Sequence, residues 1–441
     1  MKPKLQSNSS PIESSLNNQA KAIEAEASND NEDDSFRTSL PDFDKLLDCL
    51  GQFGTYQKWL YFLLWIPAAS MAIGIYSTVF LEFVPNHKCL VDCKNGAMDD
   101  NDWMSQVKDP SCTMPRSLNE TCTIQDVQDV IHCDKFAYDQ SLFTDTAVSE
   151  FNAVCGSGYL RTISSTMYMS GMLFGSLFFG WISDAMGRRV AFGLCVLCLS
   201  LGSTLAAFST NYTMFMVLRF VTSMGGIGSF MISFVMATEF VGTKYRTLCG
   251  ILIEVPFALG ELYIVLLAYF IRDWRSLQLA IGVPLLGLVF YLVKLPESIR
   301  WAWAVGKFST ANKVIESMSR INKVPVPEEF LIENDAEEKL ASSPGGSSSA
   351  DVGMGPLMKS KPLRGRLIVM VFNWIVATLC YYGLSLNAGI GSDVFSAFSL
   401  SALMEIPAYC LSAMVIFHAT SLTPYSLDTL SRFPKSKSIT K

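Results

Sequence analysis

Eight stretches of this chain are almost wholly apolar, near residues 59–80, 162–182, 190–208, 212–235, 248–270, 277–294, 367–387 and 394–417. A hydrocarbon core is crossed by a helix of about 20 apolar residues. Inside lipid no water satisfies a free N–H or C=O, so such stretches must be helical. Pro67, in the first window, is tolerated where a neighbour satisfies the carbonyl it frees. Short polar joints at Asn211, Thr243-Lys244 and Arg272-Asp273 separate several windows. The expected fold class is an all-α membrane protein that crosses the lipid bilayer many times.

Between the first and second windows lies a polar insertion, residues 86–158, carrying Cys89, Cys93, Cys112, Cys122, Cys133 and Cys155. Six of the chain's 12 cysteines in one short soluble stretch read as a disulfide framework, which persists in an oxidising, extracytoplasmic compartment. A zinc reading is weaker: only His87 and His132 are nearby, and no paired C-x-x-C occurs. The pairing of the six stays open. Asn119-Glu120-Thr121 in the same stretch is a glycosylation acceptor.

The remaining segments fit one topology. Residues 1–58 read as a cytoplasmic, mostly disordered N-terminus with a short amphipathic helix at Phe43–Leu47, and they hold no secretory signal. Residues 59–85 form the first span and its exit, and 159–294 hold spans two to six. A cytoplasmic loop, 295–366, combines a surface helix (Trp301, Val305, Ala311, Val314, Ile315, Met318) with a Ser/Gly-rich linker at 342–355. Spans seven and eight are expected at 367–417, and 418–441 as a polar cytoplasmic tail. Arg188, Arg189, Lys244, Arg246 and the bases between Lys294 and Arg366 all fall on the side opposite the cysteines. That is the cytoplasmic bias of short basic loops. The net charge of −6 gives no reason to expect a nucleic-acid partner.

Ionisable groups within or beside apolar windows are the candidate functional residues, because burying them in lipid is costly. Gly180, Asp184, Gly187, Arg188 and Arg189 form a polar turn after the second span, where Asp184 and Arg188 stand one helical turn apart. Arg219 lies inside the fourth window; it either pairs with a buried carboxylate or snorkels outward. Glu254 and Glu261 stand seven apart, on nearly one helix face, and attract a cationic solute if they line a wet path. Glu254 has a second reading, as the partner of Arg246 near a helix end. Glu405 sits beside Pro407, which loosens the helix around it. Tyr381 and Tyr382, with Asn387 further on, offer aromatic faces to an organic cation or anchor the helix at the interface.

Several motifs together carry a family resemblance: FDKLL with GQFGTYQ, the six-cysteine loop, and the Gly180-x-x-x-Asp184-x-x-Gly187-Arg188-Arg189 turn. To these add Glu239-Phe240-Val241-Gly242 with Tyr245-Arg246, Arg272-Asp273-Trp274-Arg275, Pro296-Glu297-Ser298-x-Arg300-Trp301, Tyr381-Tyr382-Gly383-Leu384-Ser385 and Glu405-Ile406-Pro407-Ala408. Over about residues 43–416 the chain resembles the organic cation, anion and zwitterion transporters of the major facilitator superfamily.

The resemblance implies a complete N-terminal six-helix bundle plus two helices of an incomplete C-terminal bundle, the family pattern being left after Phe417. It implies alternating access around a central cavity, with Tyr382 and Glu405 in or beside it; Glu254, Glu261 and Glu405 favour an organic cation or carnitine-like zwitterion over an anion as the small organic ion carried. Gly180, Asp184, Gly187, Arg188, Arg189, Glu239, Arg246, Glu297 and Arg300 would form cytoplasmic salt-bridge networks. The expected location is the plasma membrane. A competing expectation is a non-transporting chain that pairs with a full-length carrier. With three histidines, none inside a span, and no nucleophile–base or metal-ligand constellation, no catalytic residue, metal or cofactor is expected.

Overall fold

Helix covers the apolar windows in the computed structural model, which describes residues 43–90, 111–115, 130–291, 294–327, 330, 361–385 and 393–431. The disordered segment expected at the N-terminus, Cys93, Asn119, Cys122, the 342–355 linker and Asn387 lie outside the described residues.

By contacts the chain divides into two units, one of residues 1–54 and 299–374, the other of 55–298 and 375–441. The second unit contains α2 (Thr55–Leu81), α4 (Tyr159–Met186), α5 (Arg188–Ala206), α6 (Tyr212–Glu239), α7 (Thr243–Leu252), α8 (Val255–Phe270), α9 (Trp274–Leu286), α10 (Leu288–Tyr291) and α14 (Val394–Ser431). Helix α6 is the hub: α4, α5, α2 and α7 all pack on it, α9 packs on α5, and α8 lies between α2 and α14. Close approach of backbones makes this possible. At Gly175 of α4 an added Cβ would come within 2.6 Å of Met224 Cα, and at Gly260 of α8 it would collide with the Ala69 carbonyl.

Six helical stretches among the described residues are long and apolar enough to cross a membrane, two fewer than the eight windows. Helix α4 is long enough but is diluted by Thr162, Ser164, Ser165, Thr166 and Ser170. The stretch Trp274–Phe290 is short and apolar, with Pro284 and Gly287 at its break. The fifth window is also two helices. Pro256 has no N–H to donate back to the preceding turn, so α7 ends at Leu252 and α8 begins at Val255. Ile253 and Glu254 at this joint keep right-handed helical backbone angles, and the Ala258 N–H donates to the Glu254 carbonyl at 3.2 Å, so Glu254 caps the helix that carries Glu261. At the other end, α14 runs on through Ser431 rather than stopping at Phe417.

The polar insertion holds two small antiparallel ladders. β1 (His87–Cys89) pairs with β4 (Phe136–Tyr138), and β2 (Thr113–Pro115) with β3 (Val130–His132). Disulfides Cys89–Cys133 and Cys112–Cys155 tie these strands together and to the short turn before α4. Helix α3 (Ala147–Glu150) opens on a capping box between Thr146 and Ser149.

In the first unit, α1 (Phe43–Cys49) buries Leu46 and Leu47, and Asn322 donates to the Leu50 carbonyl at 2.9 Å. The surface helix expected over Trp301–Ile321 is two helices, α11 (Ile299–Ala304) and α12 (Phe308–Asn322). Gly306 adopts φ 77° between them and Val305 turns outward, so Val305 leaves the apolar face that Ala311, Val314, Ile315 and Met318 keep. Helix α13 (Lys361–Ser385) begins in this unit and ends in the other.

Candidate functional site

Three carboxylates and four tyrosines of the second unit come together. Glu405 on α14 accepts the Tyr381 hydroxyl at 2.8 Å on one oxygen and the Tyr409 hydroxyl at 3.1 Å on the other. Tyr381 gives its proton to Glu405, so its oxygen is left to accept from Tyr76, 2.9 Å away on α2. A hydrogen-bonded chain thus links the first, seventh and eighth apolar windows. Helix α14 runs through Pro407 without a break.

Glu254 and Glu261 each lie close enough to Glu405 to interact electrostatically, and Tyr382 interacts with both Glu254 and Glu405. Glu261 is 0 % exposed, and neither of its carboxylate oxygens has a hydrogen-bond partner among the described residues. Among the described residues, no arginine or lysine contributes to the charge interactions of these three acids. Arg246 instead reaches back to the Thr238 carbonyl at 3.3 Å. The Tyr381 and Tyr382 rings meet edge to face at 5.2 Å, and Tyr76 packs against Phe257 and Phe398. Chemically this is a cluster of carboxyl groups and phenol rings.

Arg219 takes the buried alternative. It is 2 % exposed, with its Nε 3.9 Å from Glu82 Oε1, and it donates to Ser77 at 3.2 Å and to Thr78. Its guanidinium lies 4.6 Å from the centre of the Tyr168 ring. Glu82 also accepts the Ser164 hydroxyl at 2.6 Å.

At the α4–α5 corner, Arg188 bonds Asp184 at 3.0 Å, Glu239 at 3.3 Å and the Ser183 carbonyl at 2.9 Å. Glu297 closes the corner. Its carboxylate accepts the backbone N–H of Arg188 at 2.7 Å, of Arg189 at 3.3 Å and of Ser298 at 3.0 Å. Gly187, at φ 103° and ψ 160°, has no side chain to cap α5, and Glu297 supplies the acceptor instead. An added Cβ at Gly180 meets nothing within 4 Å. Arg300 is not in this cluster: it belongs to the other unit, where it pairs with Asp44 at 3.2 Å.

The opposite ends of the helices carry a second clasp. Glu150 accepts from Trp274 Nε1 at 2.7 Å and from Arg275 at 2.5 Å, while Arg275 also donates to the Ala207 and Ser209 carbonyls just past α5. The Arg275 hydrogen bond holds the Glu150 carboxyl below its ordinary range. Burial, then the nearby charges of Asp273 and Glu150, push Asp145 up. The ligand-type atoms of His87, Cys112 and Cys155 lie within 4.8 Å of one another, but both sulfurs are spent in one disulfide.

Sequence reasoning passed over Glu82, Tyr76, Tyr409 and Glu150. The Glu405-x-x-x-Tyr409 spacing places that hydroxyl one turn from the acid and could have found Tyr409. A lone acid at the exit of the first window could have suggested Glu82 as the partner of Arg219.

Residues 127–434 match the family described as sugar (and other) transporter. The organic cation transporter protein of Drosophila melanogaster is 33% identical over 392 residues, 84% of this chain and 70% of its own length. The beta-alanine transporter of the same fly is 30% identical over 408 residues, 84% of this chain and 67% of its own. Organic cation/carnitine transporter 2 of Mus musculus is 27% identical over 406 residues, 86% of this chain and 71% of its own. A solved structure of the proton:xylose symporter XylE aligns at TM-score 0.49 and 14% identity, over 82% of this chain and 70% of that one. The matched family and these relatives are transporters, not enzymes.

Proposed function

The chain belongs to the sugar (and other) transporter family, among the organic cation, anion and zwitterion carriers of the major facilitator superfamily, and on that premise we propose that it moves small organic cations by alternating access. One observation carries the choice of cation: Glu254, Glu261 and Glu405 interact electrostatically with no arginine or lysine contributing among the described residues. An organic cation entering there gains an opposite charge and the faces of Tyr381 and Tyr382, each worth about 0.5 to 2 kcal/mol. Carnitine-like zwitterions fit the same lining through their cationic end, and simple anions are repelled by it.

In this reading Asp184, Arg188, Glu239 and Glu297 form a latch that holds the helix ends while the cavity faces the other way. The basic corner faces the cytoplasm with the N-terminus, the disulfide-bearing insertion faces outside with Asn119 glycosylated, and the protein resides in the plasma membrane. The test is uptake of a fluorescent organic cation by expressing cells, with surface delivery measured in parallel. Saturable uptake blocked by excess unlabelled cation supports the proposal, and normal delivery without uptake rejects it.

A second reading is favoured by the uncovered apolar faces of α13 and α14, where Phe372, Leu379 and Met404 are exposed. Such faces fit either lipid or the helices of a full-length carrier. The chain would then regulate that carrier without transporting, and co-expression would lower the carrier's uptake.

A further inference from the structure

The two disulfides of the polar insertion stand in different surroundings. Cys89 and Cys133 are buried, whereas Cys112 and Cys155 are half-buried. Cys155 Sγ also has an imidazole beside it, with His87 Nε2 3.6 Å away. The other ring nitrogen, Nδ1, lies 3.1 Å from the Pro85 carbonyl. A carbonyl only accepts, so Nδ1 carries a proton and Nε2 is the nitrogen turned to sulfur. The rings of Phe136 and Tyr138, 5.7 and 5.9 Å from the imidazole between centres, hold it in place.

Cys155 itself sits at φ 52°, in the left-handed region that a residue with a Cβ occupies at a cost. It begins the turn that leads into α4, where its carbonyl accepts the Gly158 N–H at 3.0 Å. A disulfide opens when a thiolate attacks one sulfur, and the rate depends on access and on how well the departing sulfur is stabilised. An imidazole gives and takes protons near neutral pH, so one placed at the departing sulfur can protonate it.

We propose that Cys112–Cys155 is a thiol–disulfide exchange site, opened by dithiols in the surrounding solution, with His87 as its general acid. A dithiol sulfur that has lost its proton to water bonds to Cys112 Sγ as the Cys112–Cys155 bond breaks. The bonding pair leaves on Cys155 Sγ, and doubly protonated His87 gives that sulfur its Nε2 proton, while Nδ1–H stays on the Pro85 carbonyl. The second dithiol sulfur, also deprotonated by water, attacks the first, so a cyclic disulfide departs and Cys112 leaves as a thiolate. The two protons lost to water return, one to Cys112 and one to His87. Two electrons pass from the dithiol, which is oxidised, to the protein disulfide, which is reduced. Opening this bond unties the insertion from the turn that starts α4, while Cys89–Cys133 goes on joining the two ladders. Nothing in the exchange depends on what the chain carries.

The test is graded reduction of the purified full chain in lipid nanodiscs by dithiothreitol, quenched with iodoacetamide and read cysteine by cysteine by mass spectrometry. Cys112 and Cys155 are expected to be alkylated first, with Cys89 and Cys133 still paired. Equal rates, or earlier opening of Cys89–Cys133, overturn the proposal. With β-mercaptoethanol, a monothiol, the first step is trapped: the thiol adduct is expected on Cys112 and the alkyl group on Cys155. The reverse placement overturns the role of His87, since the departing sulfur would be the one away from it. His87→Phe keeps a ring between Phe136 and Tyr138 but has no proton to give. It is expected to slow the opening of Cys112–Cys155 by about a hundredfold, the lower end of what a positioned proton donor contributes. The opening of Cys89–Cys133 is expected to stay unchanged in that variant, which also reports that the insertion is folded. An unchanged rate at Cys112–Cys155 overturns the general acid. If Cys89–Cys133 opens faster in His87→Phe, the insertion has loosened, and the order of opening and the adduct placement in the wild type decide.

Discussion

Glu297 caps the helix that begins at Arg188: its carboxylate accepts that residue's backbone N–H at 2.7 Å, across a long separation in sequence. The same acid takes the next N–H, of Arg189, and the Arg188 side chain turns away to Asp184 and Glu239. One helix end is thus held both by its backbone and by its side chain. Glu297→Ala is expected to remove the cap and lower stability by about 0.5 to 2 kcal/mol. Thermal unfolding in detergent checks it, with Glu297→Gln, which keeps one acceptor, losing less.

The two glycines of the signature turn are expected to behave oppositely. Gly187 occupies a region of backbone space that is essentially closed to other residues, so Gly187→Ala should cost about 1 to 3 kcal/mol. Gly180 is in regular helix with open space at its Cβ position, so Gly180→Ala should be neutral or stabilise by up to about 1 kcal/mol. Equal losses at both positions would contradict this assignment.

Arg219 and Glu82 are buried together, and removing either strands the other. Arg219→Met or Glu82→Leu alone is expected to destabilise by about 3 to 5 kcal/mol, the double variant by clearly less than the sum. A double-mutant cycle on thermal stability measures the difference. Additive losses would mean that the two side chains act independently.

Acid should loosen the opposite end of the bundle. The Glu150 carboxyl is held below its ordinary range by Arg275, so its contribution is fully present above the unfolded-state value. It is lost as pH falls through the lower, folded-state value. Glu150→Gln is expected to lower the melting temperature at neutral pH and to change little in acid, so that the acid limb flattens in a pH series. Because both side chains are about a third exposed, the effect is reduced by solvent screening.

The apolar windows are legible in the sequence because length and hydropathy are local properties. Their internal breaks are less so. Pro256 is in plain view, but a proline is tolerated inside many membrane helices, and only the fold shows that α7 ends at Leu252 and α8 starts at Val255, with Glu254 as its N-cap. Arg188 with Asp184 could be read from one-turn spacing, whereas Glu297 capping α5 depends on how distant corners meet. Glu254, Glu261 and Glu405 stand out as ionisable residues in apolar surroundings. Tyr76 does not, since a tyrosine within an apolar run reads as packing until a neighbouring hydroxyl is seen beside it. The family resemblance groups Arg300 with Glu297 in a cytoplasmic salt-bridge network. The chain turns into α11 between them, and Arg300 finds Asp44 instead.

The acidic cluster as a cation site is tested most directly by equilibrium binding of tetraethylammonium to the purified protein, wild type against Glu405→Gln. Losing the one acid that both others feel is expected to weaken binding by about tenfold, or about 1.4 kcal/mol, with folding retained. Unchanged affinity in a well-folded Glu405→Gln protein would contradict the account and move the cargo site elsewhere in the molecule.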